Sequence, residues 1–86
     1  MRLPLIKGIV GIIDNLDEDW ANETEEFLLE LTMLEKGLKD EELEVIGELV
    51  SNISGALEVI QMEKDGMSRK DALNTFMKRV VGSIDQ

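Results

Sequence analysis

The sequence predicts an all-α fold, a compact four-helix bundle-like domain around one long central helix. Three observations carry that expectation. Through residues 38–64 the apolar side chains Leu43, Ile46, Val50, Ile53, Leu57 and Ile60 recur at steps of three and four, the period of a helix with one buried side. Capping and turn residues (Pro4, Asp17, Gly37, Asp65-Gly66, Ser68) divide the rest of the chain into segments of helical length. An apolar share of 43% with one Trp and two Phe allows a core, mostly an aliphatic one.

The 86 residues are read as a single helical domain, 1–86, with helices at about 4–15, 18–35, 41–64 and 69–82. In the first, Pro4 suits an opening turn, where its missing N–H costs nothing. Leu5, Ile6, Ile9, Val10, Ile13 and Leu16 follow at helical spacing despite Gly8 and Gly11, each of which weakens a helix by about 1 kcal/mol relative to alanine. A strand through Ile9–Ile13 is the alternative, but it would have no partner to pair with. Asp14–Asp19 forms a polar hinge in which Asn15 or Asp17 caps the second helix. That helix is expected to bury Trp20, Thr24, Phe27, Leu28, Leu31 and Leu34, and to end on Gly37 as a left-handed cap.

The central helix is expected to take Asp40 as its N-cap, with Glu41 and Glu42 in the first turn and Lys64 in the last, each favourable to the helix dipole. Val45, Leu49, Ala56 and Val59 widen its apolar side to roughly 200°, more than one neighbour would cover. In the fourth helix, Ser68 and Asp71 resemble a capping box. Ala72, Leu73, Phe76, Met77, Val80 and Val81 should face inward, Gly82 should end the helix, and Ile84 should fold back on the core.

Charge and composition exclude more than they assign. The net charge is −10, and residues 14–63 hold 16 acids against Lys36 and Lys39, so nucleic acid and anionic membranes are disfavoured as partners. Crowding of these acids should raise some carboxyl pKa values, so that acidification or added salt stabilises the fold. With no cysteine there are no disulfides or thiolate sites; with no histidine, the commonest general base and transition-metal ligand is missing. The opening apolar run is broken by Lys7, carries two glycines and is too short to span a bilayer, and no cleavage site precedes the acids that follow it. A cytoplasmic protein is expected.

Two features stand out as candidate surfaces. Gly47, Ser51 and Gly55 follow one another at i+4 in the central helix, with Ser54 alongside. Two helical glycines cost about 2 kcal/mol in propensity, which a close approach would offset. The approaching element is either helix one, through Gly8 and Gly11, or a second copy; Val45, Leu49, Ala56 and Val59 complete this candidate helix–helix or subunit interface. The second feature is a pair of acidic stripes, Glu23, Glu26 and Glu30, and Glu41, Glu44 and Glu48. These are either a solvated face or a docking surface for a basic protein. No metal ligand set is complete: an EF-hand loop begun at Asp14 meets Leu16 at its third position, and one begun at Asp17 meets Ala21 at its fifth. Phosphate loops, nucleophile elbows and dinucleotide-binding glycines are missing, and no cofactor or catalytic residue is expected. Asn52, at the margin of the central apolar side, is the nearest to an isolated polar candidate.

The stretches LPLIKG, LKDEELEVIGELVSNISGALEV and MKRVVGSID resemble a family of short bacterial proteins of unknown function. The resemblance implies no activity; at most it implies a cytoplasmic accessory to a thiol-redox system of the peroxiredoxin or thioredoxin kind. Without a cysteine, such a role would be one of binding rather than electron exchange. Length and acidity are also similar to those of the colicin-nuclease immunity proteins, but those use a Tyr-Tyr pair and this chain has no tyrosine. The expectation is a non-catalytic, self-associating interaction protein. The alternative is an acidic inhibitor or mimic that covers a basic surface.

Overall fold

The computed structural model describes residues 2–84, with the side chains of residues 2–80. Within them lie four helices and no strand: α1 (Leu3–Asn15), α2 (Glu18–Thr32), α3 (Asp40–Lys64) and α4 (Arg69–Ile84). The all-α class and the central position of α3 are as the periodicity predicts. Helix α3 packs against each of the other three, and the strand alternative for Ile9–Ile13 is not realised.

The helix ends explain where each element stops. Pro4 sits in the first turn of α1, as expected. Asp17 caps α2, its carboxylate accepting the Asp19 N–H at 3.0 Å. At its far end α2 stops at Thr32, three residues short of expectation. The Met33 and Leu34 N–H groups tighten to the i−3 carbonyls of Glu30 and Leu31, which ends the α-helical ladder, and the Thr32 hydroxyl donates to the Leu29 carbonyl (2.6 Å). Gly37, at φ 115°, turns the loop beyond rather than capping the helix.

Lys39, not Asp40, is the N-cap of α3; Asp40 is its first residue, and Glu42 accepts the Lys39 N–H at 2.9 Å. The C-terminus of α3 closes in a Schellman motif. The Met67 N–H reaches the Met62 carbonyl and the Gly66 N–H reaches Glu63, with Gly66 at φ 111°. Ser68 accepts the Asp71 N–H (3.1 Å) to open α4. That helix runs through Gly82 to Ile84 instead of stopping at Gly82; the expected inward positions of Val81 and Ile84 fall outside the described side chains.

Ion pairs set the directions. Glu18 with Lys64 places the start of α2 beside the end of α3; Arg69 with Glu63, and Arg79 with Glu58, make α4 antiparallel to α3. Arg2 to Glu48 (2.9 Å) and Arg69 to Asp14 (2.6 Å) bracket α1, which runs alongside the C-terminal half of α3. Ile6, Val10 and Ile13 of α1 meet Ala56, Val59 and Ile60 of α3, Ala72, Leu73 and Phe76 of α4, and Ala21 of α2 in the core.

The core therefore occupies one end of the molecule. At 1.5 Å per residue, α3 is about 37 Å long, whereas α1 and α4 span only about 20 and 24 Å and lie against its C-terminal half. Beyond them the later turns of α2 and the N-terminal half of α3 project as a two-helix arm. From Asn22 to Leu49 no residue is buried. The Cα envelope measures 43 × 35 × 18 Å, its short dimension about two helices thick.

Candidate functional site

The arm holds the most unusual surface of the chain. On α2, Ala21 is buried and Leu28 and Leu31 are half-buried toward α3, as their period requires. Trp20 and Phe27 lie on the flank of the same stripe and Leu34 in the loop beyond α2, and there the expectation of burial fails: they are 51%, 67% and 58% exposed. Helix α3 is the main neighbour of α2, and α1 meets α2 in a much smaller contact at its start, around Ala21. On α3 the matching flank carries Val45 and Leu49, also exposed, in line with Ala56 and Val59 of the core. At 100° per residue the two flanks fall on the same side of the antiparallel pair.

The physical cause is the length of α1. Alongside the C-terminal half of α3, α1 covers Ala56 and Val59, which are fully buried. The chain enters α1 at Arg2, whose N–H is level with Asn52, so Leu49 and Val45, about one and two turns before Asn52, lie past the start of α1 and stay exposed. At the root of the arm, where α1 and α2 diverge, a wholly apolar groove of about 170 Å³ is lined by Ile9, Ile12, Ile13, Trp20, Thr24 and Ile53, among others. Ile12 and Leu16 extend this apolar surface around the hairpin.

The candidate interface of the central helix is thus divided by the fold. Gly55, Ala56 and Val59 are buried within the chain, Ser54 is half-buried, and Val45, Gly47, Leu49 and Ser51 are exposed. Among the described glycines, close approach occurs at Gly55 alone. A Cβ there would lie 2.8 Å from Cζ and 3.1 Å from Cε2 of Phe76, so the position is kept small by an aromatic ring of α4, not by the glycines of α1. Gly8, Gly11 and Gly47 have open space where a Cβ would stand, and the matching flat spot expected between α1 and α3 is not formed.

The six glutamates of the acidic stripes are all exposed. Each stripe lies opposite its own helix's contact side, so the two point away from each other along the outer edges of the arm. They border the apolar face without forming one acidic patch. Glu48 is engaged by Arg2, at the start of α1. Glu25, half-buried on α2, has one carboxylate oxygen without a partner. Burial, with a smaller contribution from neighbouring Glu26, raises its pKa above the ordinary 4.5.

Asn52 has a structural role. Fully buried, it accepts the Arg2 N–H at 3.1 Å and donates to the Glu48 carbonyl at 2.7 Å, tying the start of α1 to α3. A second, cationic hollow of about 500 Å³ between α1 and α4 is lined by Leu3, Lys7, Arg69, Lys70, Leu73 and Asn74. Arg69 is already held by Asp14 and Glu63, whose carboxylates raise its pKa. Among the described residues, no three acidic side chains are grouped so as to hold a metal ion. Nor, among the described residues, is any helix long and apolar enough to cross a membrane.

Fold and surface together define a small all-α protein whose central helix outruns its partners and leaves an apolar hairpin face uncovered. The chain belongs to a family of unknown function (DUF6952), whose model matches residues 1–85. No curated protein and no solved structure matches it.

Proposed function

We propose that this chain is a non-catalytic interaction protein of the cytoplasm that self-associates through the arm formed by α2 and the N-terminal half of α3. One observation carries the proposal: no residue between Asn22 and Leu49 is buried, and within that span Phe27, Leu34, Val45 and Leu49 are exposed. Periodic aliphatic and aromatic residues left uncovered over such a length mark a surface meant for another protein. The lack of histidine and cysteine supports a binding role over a catalytic one, and service to a thiol-redox enzyme would likewise proceed by binding.

The runner-up is an acidic mimic that covers a basic protein surface, favoured by the exposure of all six stripe glutamates. It is the weaker reading because the two stripes face apart. Salt separates the two. Light scattering at rising salt should show a growing share of self-associated protein, because screening relieves repulsion between acidic rims. A monomer at every salt and protein concentration would remove self-association and leave the acidic mimic.

A further inference from the structure

Resting on the reading of the arm as a binding surface, we infer that the face also receives a basic amphipathic helix of another protein, about twelve residues long, in place of a second copy. Length gives the first argument. The seat begins at the level of Asn52, where the chain enters α1, and runs to Asp40 at the start of α3, which is about 18 Å of helix. Phe27 of α2 and Leu34 of the loop beyond it form one wall, Val45 and Leu49 of α3 the other, and all four are exposed. A single short helix laid end to end with α1 gives this stretch of α2 and α3 the neighbour that α1 provides further along.

Charge sets the chemistry of that helix. Residues 22–49 hold ten acids against Lys36 and Lys39, a net charge of −8. Of the six stripe glutamates, only Glu48 has an ion pair in the described structure, with Arg2. The carboxylates also stand beside the apolar anchors. Phe27 shares an open hollow with Glu23, Glu26 and Glu30, and Val45 shares another with Glu41 and Glu42, each of about 390 Å³.

The complementary partner carries an apolar stripe flanked on both sides by lysine or arginine. Its aliphatic stems lie along Phe27 and Val45 while the charged ends reach the carboxylates. A second copy brings a further −8 to the same place and gains from added salt, whereas the basic helix loses by it. The two occupants therefore carry opposite salt signatures.

The test uses the full chain and a dye-labelled synthetic peptide of about twelve residues, with leucines along one helical stripe and lysines on both flanks. One control replaces every lysine by glutamate, and another scrambles the order so that the stripe is lost. Fluorescence anisotropy reads affinity, and sedimentation reads mass with and without peptide. The expected result is a one-to-one complex with the monomeric chain, about tenfold or more tighter than either control and weakening as salt rises. Phe27→Ser and Val45→Ser, on opposite walls, should each weaken binding about tenfold with helix content unchanged by circular dichroism. Equal binding of the scrambled peptide, or undiminished binding by both variants, would mean diffuse attraction to an acidic chain and overturn the inference. A wild type that dimerises by itself, but neither binds the lysine peptide nor is dissociated by it, would overturn the inference and leave self-association standing. A chain that is monomeric alone yet binds the peptide through these walls would remove self-association and uphold the inference.

Discussion

Two glycines eight residues apart on α3 should respond to the same substitution with opposite signs. At Gly47 a Cβ meets nothing within 4 Å, so Gly47→Ala keeps only the gain in helix propensity and unfolded-state entropy, about 0.5–1 kcal/mol. At Gly55 that gain is set against a contact of 2.8 Å to Cζ of Phe76. The Phe76 ring is 3% exposed, and Ile6 Cδ1 stands 3.5 Å from the same Cβ position. The ring must shift within a filled core, and overpacking of this kind costs roughly 1–3 kcal/mol. The net expectation is a loss of about 1–2 kcal/mol for Gly55→Ala and a gap of about 2 kcal/mol between the variants. For a chain of this length that gap corresponds to roughly 8–16 °C in melting temperature. Helical circular dichroism during heating and urea unfolding measures it, at fixed protein concentration because association shifts apparent stability. If both substitutions stabilise equally, Phe76 does not pack on Gly55 and the account of the small-residue line is wrong. If Gly47→Ala impairs self-association, that line, and not the apolar flank, is the interface.

Other substitutions separate the remaining roles. Asn52→Ala strands the Arg2 N–H and should cost about 1–3 kcal/mol in urea unfolding, without changing the oligomeric state. Glu25→Gln should stabilise at neutral pH. Because burial raises the folded-state pKa of Glu25, the fold takes up a proton on acidification; its unfavourable contribution is absent well below 4.5 and grows as pH rises through the folded value. The advantage of the glutamine variant in thermal melts should therefore vanish in acid, and a constant difference at all pH values would assign it to another cause. Trp20, the only tryptophan and half exposed, should shift its emission to shorter wavelength as protein concentration rises, because the partner covers it.

Much of the fold was legible because helix formation and capping are local. The period of Leu43 to Ile60, the caps at Asp17 and Ser68, and the turn at Gly66 depend on residues within a few positions of one another. The errors came where the deciding partner is distant. The stripe Trp20–Phe27–Leu34 has the period of a buried face, but whether it is covered depends on how far α1 reaches along α3. Gly55 announced a close approach without naming Phe76, more than twenty residues away. Asn52 resembled an isolated polar residue until the first turn of α1 supplied its partner. Helix α2 ended early where the Met33 and Leu34 N–H groups turn to carbonyls three residues back, a tightening its sequence permits without requiring. As for the candidate site, the width of the apolar side was visible in the sequence, but the vacancy along half of it was not.

Sedimentation of the wild type and Phe27→Glu over a wide concentration range tests self-association through the arm most directly. Phe27 is 67% exposed in the single chain, so its replacement should leave the monomer's fold and stability within about 0.5 kcal/mol. The wild type is expected to pass from a 9.7 kDa species to twice that mass as concentration rises. Phe27→Glu should stay at the lower mass with unchanged helix content. A wild type that never leaves the monomer mass, or a variant that dimerises as strongly as the wild type, would contradict the assignment of this face.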